Sequence, residues 1–112
     1  MINYHNRRFK VASTAEAGEV STDLVFHYQQ ENNIVTCIYK DHNVAYGHLI
    51  GKVDDEGNID IRYHQINSQG VIKTGKCFSK PVILENGKIQ LHETWEWLSG
   101  DSGGGNTIIQ EL

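Results

Sequence analysis

Turn-forming residues recur along this chain about every ten to fifteen positions. They fall at Glu31-Asn32-Asn33, Asp41-His42-Asn43, Asp54 to Asn58, Asn67 to Gly70, Glu85-Asn86-Gly87 and Ser99 to Gly105. The segments between them are rich in β-branched and aromatic residues and read as strand. Even spacing with tight polar turns describes an antiparallel meander. Eight strands are predicted near 5–12, 22–30, 33–40, 44–53, 58–66, 70–83, 88–98 and 106–112. Several are long, and a long edge strand in an open sheet invites pairing with other chains. Closure into an up-and-down barrel removes the edge. With eight strands the interior is just wide enough for side chains or one small ligand.

A chain of 112 residues is expected to form one domain, 1–112. It carries 14 acids against 10 Lys and Arg, for a net charge of −4. That balance gives no electrostatic footprint for nucleic acid, and the short cluster Arg7-Arg8 with Lys10 reads as a solvated strand start. No apolar signal core stands at the N-terminus and no stretch reaches the length of a membrane helix, so a cytoplasmic protein is expected. Cys37 and Cys77 lie mid-strand without a nearby second Cys, which suits small buried thiols rather than a redox motif or zinc knuckle. Pro81 implies a bulge or a sheet position that needs no N–H donor. Ser13 to Glu19 has room for one helical turn, and Ser99 to Gly105 is expected to be the most flexible segment.

Alternation sorts the strands into faces. Phe9 and Val11 share a face with Arg7. Leu24, Phe26 and Tyr28 share another, as do Ile59, Ile61 and Tyr63, and as do Ile89, Leu91, Glu93, Trp95 and Trp97. These sets are taken as inward. Segments 44–53 and 70–83 are ambiguous, because one face of each is small: Gly47 and Gly51 in the first, Gly75, Cys77 and Ser79 in the second. If the small sets face inward, they leave room for a ligand or admit large residues from elsewhere in the barrel. Tyr46, Ile50, Ile72 and Phe78 would then be exposed, and a contiguous apolar surface marks a contact face. A homo-oligomer built on segments 44–53, 58–66 and 70–83 is therefore expected.

Glu93 is the residue of greatest chemical interest. It stands between Leu91 and Trp95 on a face that should be buried, and a desolvated carboxylate needs a partner. Arg7 has the matching parity, so a Glu93–Arg7 pair at one end of the barrel is one expectation and a ligand-binding carboxylate the other. Trp95, Trp97 and Tyr63 point the same way, and aromatic walls with a few polar groups make small-molecule cavities as well as filled cores. His27, His48, His64 and His92 read as outward and show no metal-binding spacing, so no metal is expected. Asp60, Arg62 and His64 form an outward charged row. Asp101-Ser102-Gly103 resembles a serine nucleophile loop only in those residues. A base and an orienting acid are not evident, and a loop at the barrel mouth is the better reading.

Over nearly its full length the chain resembles a group of small bacterial proteins often called N-acetylglutamate synthases. The resemblance rests on Asn6-Arg7-Arg8-Phe9, Gly47 to Gly51, Arg62 to Gln65, Thr74 to Cys77, Leu91-His92-Glu93 with Trp95 and Trp97, and Gly100-Asp101. It implies a fold similar to the avidin and lipocalin barrels, which bind small ligands in the barrel mouth. The name implies acyl transfer on glutamate. Acetyltransferases of that activity hold acetyl-CoA on a Gly-rich strand-to-helix turn, which this sequence lacks.

The leading expectation is thus a non-enzymatic all-β barrel that binds a small molecule, with Glu93, Trp95, Trp97, Tyr63 and Arg7 lining or closing the cavity. No catalytic residue and no cofactor is implied. The alternatives are an acyltransferase-type enzyme with Glu93 or a histidine as base, and a structural or interaction barrel with a filled core.

Overall fold

A computed structural model describes residues 2–14, 23–99 and 103–112. Of the segment Ser13 to Glu19, considered for a helical turn, Ser13 and Thr14 belong to the first strand and the rest lies outside those residues, as do Asp101 and Ser102. Among the described residues there are nine strands: β1 (Arg8–Thr14), β2 (Val25–His27), β3 (Gln29–Glu31), β4 (Ile34–Tyr39), β5 (Val44–Val53), β6 (Ile59–Asn67), β7 (Ile72–Ile83), β8 (Ile89–Trp97) and β9 (Gly104–Glu111). They form one antiparallel sheet in the order β2-β1-β9-β8-β7-β6-β5-β4-β3. The two ends of that order are consecutive in the chain, so the sheet curls into a nearly closed barrel.

The expected eight strands become nine because the predicted 22–30 strand is split at Tyr28. Its first piece pairs with β1 through Phe9↔Phe26, and its second pairs with β4 through Gln30↔Val35. One segment thereby serves both edges. Tyr28 still donates its N–H to the carbonyl of Arg7 at 2.9 Å, and its carbonyl accepts from the N–H of Asn6 at 2.9 Å.

The turns between strands follow local chemistry. Asn32, Gly57, Gly70 and Gly87 all adopt positive φ at hairpin connections, where Gly and Asn carry the least steric cost. Asp54 and Asn67 each accept, through the side-chain Oδ1, from main-chain N–H groups two and four residues on, as Asx turns do. Pro81 introduces no register shift in β7–β8, and the β6 ladder has already ended at Ser79. The no-donor alternative is the one that fits.

Face assignment follows the expected parity. Phe9, Phe26, Tyr28, Ile59, Ile61, Ile89, Leu91 and Trp95 are buried, and the small sets of β5 and β7 also face inward. A bulge between Val44 and Tyr46 breaks the alternation in β5, turning Val44 inward and Ala45 outward. Tyr46, Ile50, Ile72 and Phe78 are exposed, at 44%, 46%, 68% and 42%.

The first strand begins at Arg8, later than expected. Asn6 takes a φ of 63° and the N–H of Arg7 donates to the carbonyl of Tyr4 at 3.1 Å, so the chain turns there. The preceding residues cap one end of the barrel. Tyr4 is fully buried, its rings with Phe9 and Tyr28 lie 6.3 Å apart, and its hydroxyl donates to the carbonyl of Gly57 at 2.6 Å. Its own N–H donates to Gln30 Oε1 at 2.8 Å. This end is closed; the open space lies towards the other.

Candidate functional site

Along β8 the inward residues run Ile89, Leu91, Glu93, Trp95, Trp97, from the capped end to the open one. Their cross-strand partners on β7 run Ile83, Pro81, Ser79, Cys77, Gly75. The wall therefore changes from aliphatic to polar and aromatic as it leaves the plug. Beyond Leu91 lies a cavity of about 80 Å³, with Tyr28 and Ile61 in its deeper part and Tyr63, Gln65 and Trp97 further out. A cavity holds a water once it offers about 10–15 Å³, so this space takes several waters or one compact group.

Glu93, Trp95, Trp97 and Tyr63, four of the residues singled out in the sequence, come together on this cavity. Arg7 does not. Its guanidinium holds Glu111 through Nη1 at 2.9 and 3.1 Å, and its Nε donates to the carbonyl of Asn3 at 2.8 Å. The anticipated Glu93–Arg7 pair is thus replaced. Because residues 2–7 turn away from the strand direction at Asn6, Arg7 ends up beside the end of β9 rather than across the lumen. Glu111 in turn accepts the N–H of Ile89 at 3.0 Å.

The partner of Glu93 is Ser79, directly opposite it in register, whose hydroxyl donates to Oε2 at 2.6 Å. Cys77 Sγ lies 3.8 Å from the same hydroxyl. No Lys, Arg or His is among the described residues lining the cavity. Burial therefore dominates, and it raises the Glu93 carboxyl to about 7, against the opposing hydrogen bonds from Ser79 and Cys77. Burial, and then the nearby Glu93 charge, pushes the Tyr28 phenol and the Cys77 thiol well above their usual range. Burial takes Cys37 up to about 12. Both cysteines are free and stay protonated thiols at neutral pH.

The aromatic rings are held in place individually. Trp95 Nε1 donates to Thr107 Oγ1 at 2.9 Å, and the Tyr39 hydroxyl donates to Gln65 Oε1 at 2.8 Å. Trp97 stands edge-on to both Tyr63 (5.6 Å, 70°) and Trp95 (5.8 Å, 70°), so the three rings form adjoining walls. Glycines decide where the tyrosine rings lie. Tyr39 is the register partner of Gly47, Tyr63 of Gly75, and Trp95 of Gly105. A Cβ on Gly47 would fall within the Tyr39 ring, and one on Gly75 within the Tyr63 ring. The two tyrosine rings thus rest on bare backbone at Gly47 and Gly75. Gly75→Ala should displace Tyr63 towards the lumen and cost about 1–3 kcal/mol through overpacking; denaturant unfolding and a crystal structure of the variant check both effects.

Sequence reasoning missed Tyr39, Gln65 and Thr107 as lining residues. Gln65 continues the inward parity of Ile59, Ile61 and Tyr63, and Tyr39 that of Val35 and Cys37. A polar residue on an otherwise apolar inward row was the available signal. The histidines face outward as expected, yet two of them are not scattered. His48 and His64 are register partners, with ring centroids 5.2 Å apart. Among the described residues no group of three or more His, Cys, Asp or Glu is arranged to hold a metal ion. No helix there is long and apolar enough to cross a membrane.

A meander that curls on itself, plugged at one end and carrying an aromatic pocket towards the other, defines a protein of the small up-and-down barrel class. A family model described as avidin-like protein matches residues 2–112, and the chain belongs to that family. No curated protein matches it.

Proposed function

We propose that this barrel binds a small molecule in its open half and performs no chemistry on it. The observation that carries the reading is the seating of Tyr39 and Tyr63 on Gly47 and Gly75, beside an aromatic cavity that also carries Glu93 and Gln65. A core selected only for stability would fill that space, since protein interiors pack to crystal density. Pockets that enclose a drug-sized ligand reach about 300–1,000 Å³, so the ligand here buries one compact group and extends through the mouth. Ser79 and Glu93 are the nearest approach to a nucleophile–base pair. Ser79 is 0% exposed, however, which leaves a substrate carbonyl no path to its hydroxyl. Native mass spectrometry of the protein purified from its own host should show a retained mass of small-molecule size, lost from a variant with Trp95 and Trp97 replaced by alanine. An unadorned chain mass in every preparation would speak for a purely structural barrel.

The outer face supports association with a second copy. Tyr46, Ile66 and Ile72 are successive register partners across β5, β6 and β7, all exposed, with Ile38 and Ile50 nearby. The adjoining rows carry the pairs Arg62–Asp60 (2.7 Å) and Lys76–Glu96 (3.0 Å). Both signs are balanced there, so a copy related by a two-fold axis meets no net repulsion. Light scattering at micromolar concentration should give a multiple of 12.7 kDa, and Ile72→Lys should reduce it towards the monomer. A monodisperse monomer for the unaltered chain counts against the assembly.

A further inference from the structure

We propose that the group taken into the cavity is a compact organic cation, a quaternary or tertiary ammonium head. The inference rests on the reading of the barrel as an interior binder and names what it binds. Three independent features point to it.

The first is sign. Among the described residues that line the cavity, Glu93 is the one acidic side chain, and none is Lys, Arg or His. Its surroundings on every side are neutral at pH 7: Ser79 and Cys77 on β7, Thr107 on β9, and the phenol of Tyr28. A neutral ligand would leave this carboxyl as it stands, and an anion would be repelled by it. Among the described residues lining the cavity none gives Glu93 a counter-charge, and Lys73, the cation over Trp97, is not one of them; a bound cation would supply it.

The second is the nature of the walls. Phe26, Tyr28, Tyr39, Tyr63, Trp95 and Trp97 surround the space. Trp97 meets Trp95 and Tyr63 at 70°, so ring surfaces enclose a corner rather than a slot. Aromatic faces carry negative potential and attract ammonium groups within about 6 Å. The chain already shows this at Trp97, where the Lys73 ammonium sits 5.1 Å from the ring centroid.

The third is size. A cavity of about 80 Å³ has room for a compact head group, with the rest of the ligand reaching out through the mouth. Methylated ammonium groups are weakly hydrated and lose little on leaving water for such a cage.

Proton linkage follows. Glu93 is partly protonated near neutrality because it is buried, and a bound cation favours the ionised form. Cation binding therefore expels a proton, and affinity rises with pH until the carboxyl is ionised in the free protein as well.

The test compares choline with 3,3-dimethyl-1-butanol, its uncharged carbon isostere, on the full chain by calorimetry and tryptophan fluorescence at pH 8. Choline should bind at least about tenfold more tightly than the alcohol. Glu93→Gln should reduce that preference to within about twofold. Wild-type titrations at pH 6.5, in two buffers of different ionisation heat, should show proton release with choline and none with the alcohol, which tests the claim even if Glu93→Gln folds poorly. Equal binding of both probes without proton release overturns the cation assignment and leaves interior binding standing. Failure of both probes to bind also overturns it, and a retained neutral molecule in the native mass spectrum would then show that the broader reading survives.

Discussion

Replacing Tyr4 with alanine should lower the free energy of unfolding by about 3–5 kcal/mol, the usual cost of truncating a buried aromatic. Few substitutions in the chain should do more. Tyr4 is fully buried although it lies outside every strand, and its ring packs on Phe9 and Tyr28 while its hydroxyl reaches the carbonyl of Gly57. Loss of the ring exposes the floor of the barrel to water and leaves a cavity that the sheet cannot collapse to fill. Tyr4→Phe retains the packing and forfeits the hydrogen bond alone, at about 1–2 kcal/mol. Urea unfolding with a fixed m-value separates the two variants. Equal and small losses would show that the plug contributes little and that residues 2–7 lie passively on the barrel end.

Glu93→Gln should have the opposite sign. The Glu93 carboxyl titrates near 7 in the folded chain, against a reference value of 4.5. As pH rises, the unfolded chain releases this proton first. The contribution of the neutral carboxyl to stability is thus full below about pH 4.5 and is lost as pH climbs through 7, on the order of 3 kcal/mol in total. Glutamine does not titrate and still offers Ser79 an acceptor oxygen. At pH 8 the variant should melt on the order of 10 °C above the unaltered protein, and the two should converge near pH 4.5. Thermal unfolding by circular dichroism from pH 4.5 to 8.5 measures the difference. A variant that melts lower at pH 8 would mean that Glu93 is charged and compensated in the folded state. Under the proposed reading, Glu93 would exchange stability for ligand binding.

Most of the scaffold was legible because a period of two leaves few choices. Once Phe9, Ile61 or Leu91 is placed inward, its strand follows, and the turns announce themselves through Asn32, Gly57, Gly70 and Gly87. The cavity was legible for the same reason, since Glu93, Trp95 and Trp97 share one face of one strand. What escaped the sequence depends on departures from that period. A positive φ at Asn6 sends Arg7 to Glu111 instead of Glu93, and alternation cannot announce such a turn. The bulge at Ala45 and the break at Tyr28 are set by barrel curvature, a property of the whole sheet rather than of a local run. The ambiguity of the small faces was resolved by register, because only pairing shows that Gly47 and Gly75 lie beneath Tyr39 and Tyr63.

The position of β9 between β1 and β8 has a bearing on how the chain is made. Synthesis delivers this strand after all the others, and until it arrives two distant segments each display an unpaired row of amides and carbonyls. A nascent or truncated chain lacking residues 104–111 would be sticky through the same bonds that later seal it. Aggregation of such fragments, and its abrupt end once the last strand is supplied, is the cellular hazard built into this topology.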